Sequence, residues 1–227
     1  MTEKHDDAQA DLLIKEVDED LRHDQMEKLW KKHGNLLIAA VIAVILSVAG
    51  WQGWRSWDGK QRAASSQRYT EAVQLAEQNK SDEAIDQLAK LAADGTRGYR
   101  LLAELKRADL RQRAGDLSGA AALYGRLAAD SGTDKVYRDL ATIKAAYLLL
   151  DGGDLPQVEK AVEPLAVEAS PWRHSAREIL ALAATKRGDT AHAAELFRKL
   201  AEDAAAPQGL RARAAEMLSV TGPRAKS

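Results

Sequence analysis

Residues 108–127 read ADLRQRAGDLSGAAALYGRL. Ala108, Leu110 and Arg111 belong to a run of good helix formers, Gly115-Asp116 interrupts it, and a second run follows at once. Gly at the break supplies the left-handed conformation that ends a helix, and Asp after it is a preferred start for the next. Ala108 and Ala120 put one small side chain on each helix where the two would cross. Tyr124 and Leu127 follow on the same helical face. The stretch predicts two short antiparallel helices pressed together around alanine.

The same spacing recurs outward in both directions. Turns begin at Asn79, Gly115, Gly153 and Gly188. Seven residues before each stands Ala72, Ala108, Ala146 or Ala181. Five residues after each stands Ala84, Ala120, Val158 or Ala193, at intervals of 36, 38 and 35 residues. Leu88, Tyr124, Val162 and Phe197 come four further on, then Leu91, Leu127, Leu165 and Leu200. Breakers close each copy at Asp94-Gly95, Asp130-Ser131-Gly132, Ser170-Pro171 and Pro207. One helical hairpin cannot bury its own apolar face, so such copies must stack. The pattern resembles the tetratricopeptide repeat family over residues 63–206, with a capping helix near Leu210–Val220. It departs from that family in lacking the large first-helix residues and in placing Val158 where a small residue is usual, which predicts irregular packing in the third copy.

Upstream lies LLIAAVIAVILSVAG at residues 36–50, without a charge. Extended to Trp54 it is just long enough to cross a bilayer core, which needs about 20 residues. Lys28, Trp30, Lys31 and Lys32 precede it, and Trp51, Trp54, Arg55 and Trp57 follow. Tryptophan rings settle at the headgroup level and basic side chains snorkel there. A buried core helix needs no such edges, and a cleaved leader would not follow an acidic 34-residue tail. The expectation is a single uncleaved transmembrane helix, residues 35–54. Lys15, Arg22, Lys28, Lys31 and Lys32 on one side face Arg55, Lys60, Arg62 and Arg68 on the other. That difference barely decides, and the clustered lysines tip the expectation towards an N-terminus in the cytoplasm.

The fold class expected is all-α: the single transmembrane helix, then an α-solenoid of about four hairpins and a cap. Its divisions are an acidic tail at 1–34, the span at 35–54, a linker at 55–62, repeats at 63–220 and a flexible end at 221–227. The tail holds ten acids against six bases, and Leu13, Ile14, Val17 and Leu21 recur at helical spacing opposite an acidic face.

Composition narrows the function. The whole chain has a net charge of −1, which argues against nucleic acid as a partner. It has no cysteine, so thiolate metal sites and cysteine nucleophiles are excluded. None of the five histidines falls in a metalloprotease arrangement, and no phosphate-cradling glycine loop occurs. The expectation is a non-enzyme without cofactor or metal that binds other proteins. A concave face built from the first helix of each copy would present Leu102, Leu105, Asp109, Leu140, Ile143, Tyr147, Leu182 and Lys186. Burial of some of these between repeats is an equal expectation.

Three further segments carry a closer resemblance: Val17-Asp18-Glu19-Asp20-Leu21-Arg22, Lys28-Leu29-Trp30-Lys31-Lys32-His33-Gly34-Asn35 and Gly50-Trp51-Gln52-Gly53-Trp54. With the repeats, this layout resembles the ancillary subunit of the bacterial Sec translocon, the YfgM-like family. The resemblance implies a bacterial inner-membrane protein with periplasmic repeats. It also implies association with SecYEG and a PpiD-type periplasmic chaperone, possible contact with unfolded exported chains, and no catalytic residues. Two alternatives stay open: a scaffold for division or envelope assembly, and a regulator that sequesters a cytoplasmic factor through the acidic tail.

Overall fold

The computed structural model describes residues 3–152 and 154–221. Within the first helix it describes the side chains of residues 30, 31, 33–36 and 38 onward. The side chains of Lys28, Lys32 and the acidic tail, and the end of the chain at 222–227, lie outside the described residues. Among the described residues all regular structure is helical. Helix α1 spans Glu3–Glu77. Two compact units divide the chain, Met1–Lys60 and Gln61–Ser227.

In the first unit the apolar stretch is bare. Leu36, Val41, Ile45 and Leu46 are exposed, as are Trp30, Trp51, Trp54 and Trp57. Lys31 and Arg55 are exposed beside them. An 18-residue window there has a mean hydropathy of 2.2, so the helix is apolar enough to span a membrane. Residues 55–62, expected as a linker, are helical within α1. Arg, Lys, Gln and Ala favour helix, and the lone Gly59 costs only about 1 kcal/mol.

The second unit stacks helical hairpins. The end of α1 pairs with α2 (Ser81–Asp94), and α3 (Arg97–Arg113) with α4 (Leu117–Ala129). Next α5 (Lys135–Leu149) pairs with α6 (Leu155–Val162), and α7 (Arg173–Lys186) with α8 (Thr190–Glu202). Helix α9 (Gln208–Thr221) follows α8. Three turns repeat one geometry, and Gly153, the expected start of the other, lies outside the described residues. Asn79, Gly115 and Gly188 all take positive φ, at 62°, 84° and 79°. In each, that residue and its successor donate backward into the ending helix: Gly115 N to Gln112 O and Asp116 N to Arg111 O, with matching pairs at Asn79 and Gly188. These bonds satisfy carbonyls that the helix end leaves open. In the second, third and fourth hairpins an Asp then caps the second helix. Asp116 accepts from Gly119 N at 2.8 Å, Asp154 from Gln157 N at 3.4 Å, and Asp189 from His192 N at 3.1 Å.

Four apolar clusters hold the stack, each made by a hairpin and the first helix of the next. Ala72 of α1 meets Ala84, Leu88 and Leu91 of α2 and Ala103 and Leu110 of α3. Ala108 meets Leu123, Tyr124 and Leu127 of α4 and Ala141 and Ala145 of α5. Ala146 meets Val158, Val162, Leu165 and, on α7, Ala176 and Ile179. Ala181 meets Ala193, Phe197, Leu200 and, on α9, Ala214. Every residue picked out by the repeat spacing is buried. Truncating one of the large ones to Ala leaves a cavity costing about 2–5 kcal/mol.

The third hairpin differs. Its α-helix stops at Val162 and tightens into a 3-10 turn, Glu163–Leu165, rather than continuing to Ser170-Pro171. Pro164 is the cause, since it offers no N–H for the α ladder.

Two predictions follow from the turns. Lys80 has nearly the backbone geometry of Asp116 and Asp189 but caps nothing with its side chain. Lys80→Asp is expected to stabilise the repeats by about 1 kcal/mol in thermal or urea melts. Asp116, Asp130, Glu168 and Asp203 all have carboxyls held below their ordinary values. The chief causes are the N–H of Gly119, the hydroxyl of Thr133, the guanidinium of Arg177 and the N–H of Ala205 respectively. A carboxyl depressed in the folded state contributes stability that is complete above its unfolded value, about 4. That contribution is lost as pH falls through the lower folded value. Melts run from pH 6 downward are therefore expected to stay level until about pH 4 and then drop.

Candidate interaction surface

The residues read as a concave face separate into three groups. Leu102 is exposed, at 42% of its surface, and Lys186 is exposed but paired to Asp151 at 2.6 Å. Leu105, Asp109, Leu140, Tyr147 and Leu182 are half-buried. Asp109 is held by Arg113 at 3.2 Å and Lys106 at 3.9 Å. Ile143 does not belong to an open face. It is buried against Ala146, Val162 and Ile179, because the first helix of one hairpin must also seal the seam with the next.

Tyr147 and Leu182 come together in one cleft. Its volume is about 520 Å3, and Glu178, Phe197, Arg213, Glu216 and Met217 complete its lining. At its base the Glu178 side chain is only 6% exposed. Arg213 of α9 grips that carboxylate with both arms, Nε to Oε1 at 2.8 Å and Nη2 to Oε2 at 3.1 Å. The Tyr147 hydroxyl donates to the same Oε2. Burial, then the Glu178 carboxylate, pushes the Tyr147 phenol well above its ordinary value, so it stays a donor. Hydrogen bonding to Glu178 raises Arg213 further, so the guanidinium stays charged. A second polar knot sits beside it. His174 Nε2 meets Asp203 at 2.9 Å, Arg177 lies 3.6 Å from the same carboxylate, and Arg177 also binds Glu168.

Sequence reasoning missed Glu178 and Arg213. The signal was present: three residues before the crossing alanines stand Tyr69, Leu105 and Ile143, then Glu178. A carboxylate at a seam position otherwise held by Tyr, Leu and Ile requires a partner, because an unpaired buried charge is costly. That its partner would come from the capping helix is decided by the packing of α9 against α7 and α8.

Helix hairpins stacked through shared apolar seams, with a cleft open beside them, define a helical repeat protein built to present surface to other proteins. The chain belongs to the tetratricopeptide repeat-like domain family, which it matches over residues 27–208. The match begins upstream of the apolar stretch, well before the 63–206 over which spacing alone carried the likeness. No curated protein matches the chain. Among the described residues no group of His, Asp and Glu is arranged to hold a metal ion.

Arg213→Ala leaves the Glu178 carboxylate buried and unpaired. A fully buried pair broken this way costs about 3–5 kcal/mol. Arg213 keeps 58% of its side chain exposed, so we expect about 2 kcal/mol in urea melts. Changing both residues to leucine is expected to restore most of that loss, since nothing charged is then left in the seam.

Proposed function

We propose that this protein is a membrane-anchored interaction module working beside the SecYEG translocon. Residues 35–54 are the anchor, residues 1–34 lie in the cytoplasm, and the repeats of 63–220 lie in the periplasm. There they engage a PpiD-type chaperone and receive or hand on newly exported chains, without catalysing a reaction. Carrying the reading is one observation: a bare apolar helix edged by Trp30, Trp51, Trp54 and Trp57 stands on the same chain as a tetratricopeptide repeat-like domain. The anchor raises the effective concentration of the repeats near membrane partners. The cleft at Tyr147 and Leu182 offers an apolar wall for a partner's helix or extended segment. The Sec assignment rests on the tail, lysine and tryptophan segments quoted above.

The test is crosslinking in intact cells, followed by detergent extraction, affinity purification and mass spectrometry. Translocon subunits and a periplasmic isomerase-like chaperone are expected in the eluate. Leu182→Glu is expected to reduce the chaperone by about tenfold. Recovery of division or envelope-assembly proteins in their place would favour a scaffold. Loss of partners on deleting residues 1–28 would favour a regulator acting through the tail.

A further inference from the structure

A second and larger concavity lies where α2, α3 and α4 meet. Its volume is about 650 Å3, and none of the residues read as the concave face lines it. Arg97 and Arg100 of α3 and Arg126 of α4 converge on it, over a floor that includes Leu101, Leu123 and Leu127. Glu104 and Asp130 also line it, but both carboxylates are already engaged. Glu104 accepts from Arg107 at 3.0 Å. Asp130 accepts from Gly132 N at 2.9 Å and from the Thr133 hydroxyl at 2.7 Å. Arg97 is spent in the same corner, donating to Gly132 O at 2.8 Å and Asp134 Oδ1 at 2.9 Å.

Arg100 and Arg126 are different. Both are exposed, and among the described residues neither has a carboxylate within 4 Å, although the Arg100 charge helps hold down Asp130 across the crevice. Two guanidinium groups on neighbouring helices, beside an apolar floor and in a lining where three arginines outnumber two acids, form a surface complementary to carboxylates spaced by apolar side chains. Guanidinium forks suit carboxylate geometry, and such pairs gain strength where water is partly displaced.

We propose that this crevice is a docking site for an acidic peptide segment, with Arg100 and Arg126 receiving its carboxylates and Leu101 and Leu123 its apolar side chains. A peptide fits better than an anionic bilayer. Glu104 and Asp130 lie among the arginines and would repel a continuous sheet of negative headgroups. A peptide places its charges one at a time. The apolar floor is recessed, which suits a side chain rather than a flat surface.

The test uses the full chain in nanodiscs of neutral lipid. The probe is a short fluorescein-labelled peptide of Glu, Leu, Ser and Gly, read by anisotropy. Three controls accompany it: its Gln-for-Glu counterpart, its Ser-for-Leu counterpart and vesicles containing phosphatidylglycerol. The expected results are saturable binding that weakens with salt, loss of about tenfold or more in Arg100→Gln/Arg126→Gln, and weaker binding of both altered peptides. Leu182→Glu, on the other cleft, is expected to leave the probe's binding unchanged, so this site and the proposed chaperone contact fail independently. Absence of binding, equal binding of the Gln peptide, or loss in Leu182→Glu with none in the double variant would each overturn the proposal. So would arginine-dependent binding of the vesicles without binding of the peptide.

Discussion

Everything in the repeat unit depends on the crossing of two helices at alanine. A helical hairpin of about thirty residues has too little surface to bury its own apolar face. It becomes stable only when the helices approach closely and when a third helix covers what is left. Ala72 with Ala84, and Ala108 with Ala120, remove the side-chain bulk that would hold the axes apart. Residues four and seven positions later then reach the next hairpin. Ala72, Leu88, Leu91, Ala103 and Leu110 therefore form one cluster across three helices, and the same rule repeats to α9.

The third hairpin shows how much variation that rule tolerates. Val158 stands at the crossing position and Pro164 cuts the second helix short, yet Val158, Val162 and Leu165 are all buried. The 3-10 turn keeps Leu165 directed into the seam although the α ladder has ended. Ile143 and Ile179 supply the remaining bulk there. A change of helix type preserves the contact that the spacing requires.

The last seam is closed differently, with charge. Glu178 replaces an apolar residue and is satisfied from two directions, by Tyr147 of the preceding hairpin and Arg213 of the cap. A buried ion pair is seldom more stabilising than a well-packed apolar pair, but it tolerates only one arrangement of its partners. Here the pair joins α9 to α7 beside their apolar contacts, at the base of an open cleft. The basic crevice near the other end has the opposite character, with arginines outnumbering acids and two guanidinium groups exposed. The two surfaces suit chemically different partners.

Much of this was legible in the chain alone. Helical hairpins, their crossing alanines, the seam residues from Leu88 to Leu200 and the apolar stretch at 36–54 all follow from local periodicity, because helix spacing maps directly onto position in sequence. The left-handed turns at Gly115 and Gly188 were legible for the same reason, and Asn79 takes that conformation where glycine is absent. What sequence did not decide was which first-helix residues stay open. Ile143 and Leu140 have equal claims by spacing, but neighbouring helices bury one and leave the other half-covered. Nor did it pair Glu178 with Arg213 or gather Arg100 and Arg126 at one crevice. Those groups are 26 to 35 residues apart, and only the stacking of one hairpin on the next brings them to one place.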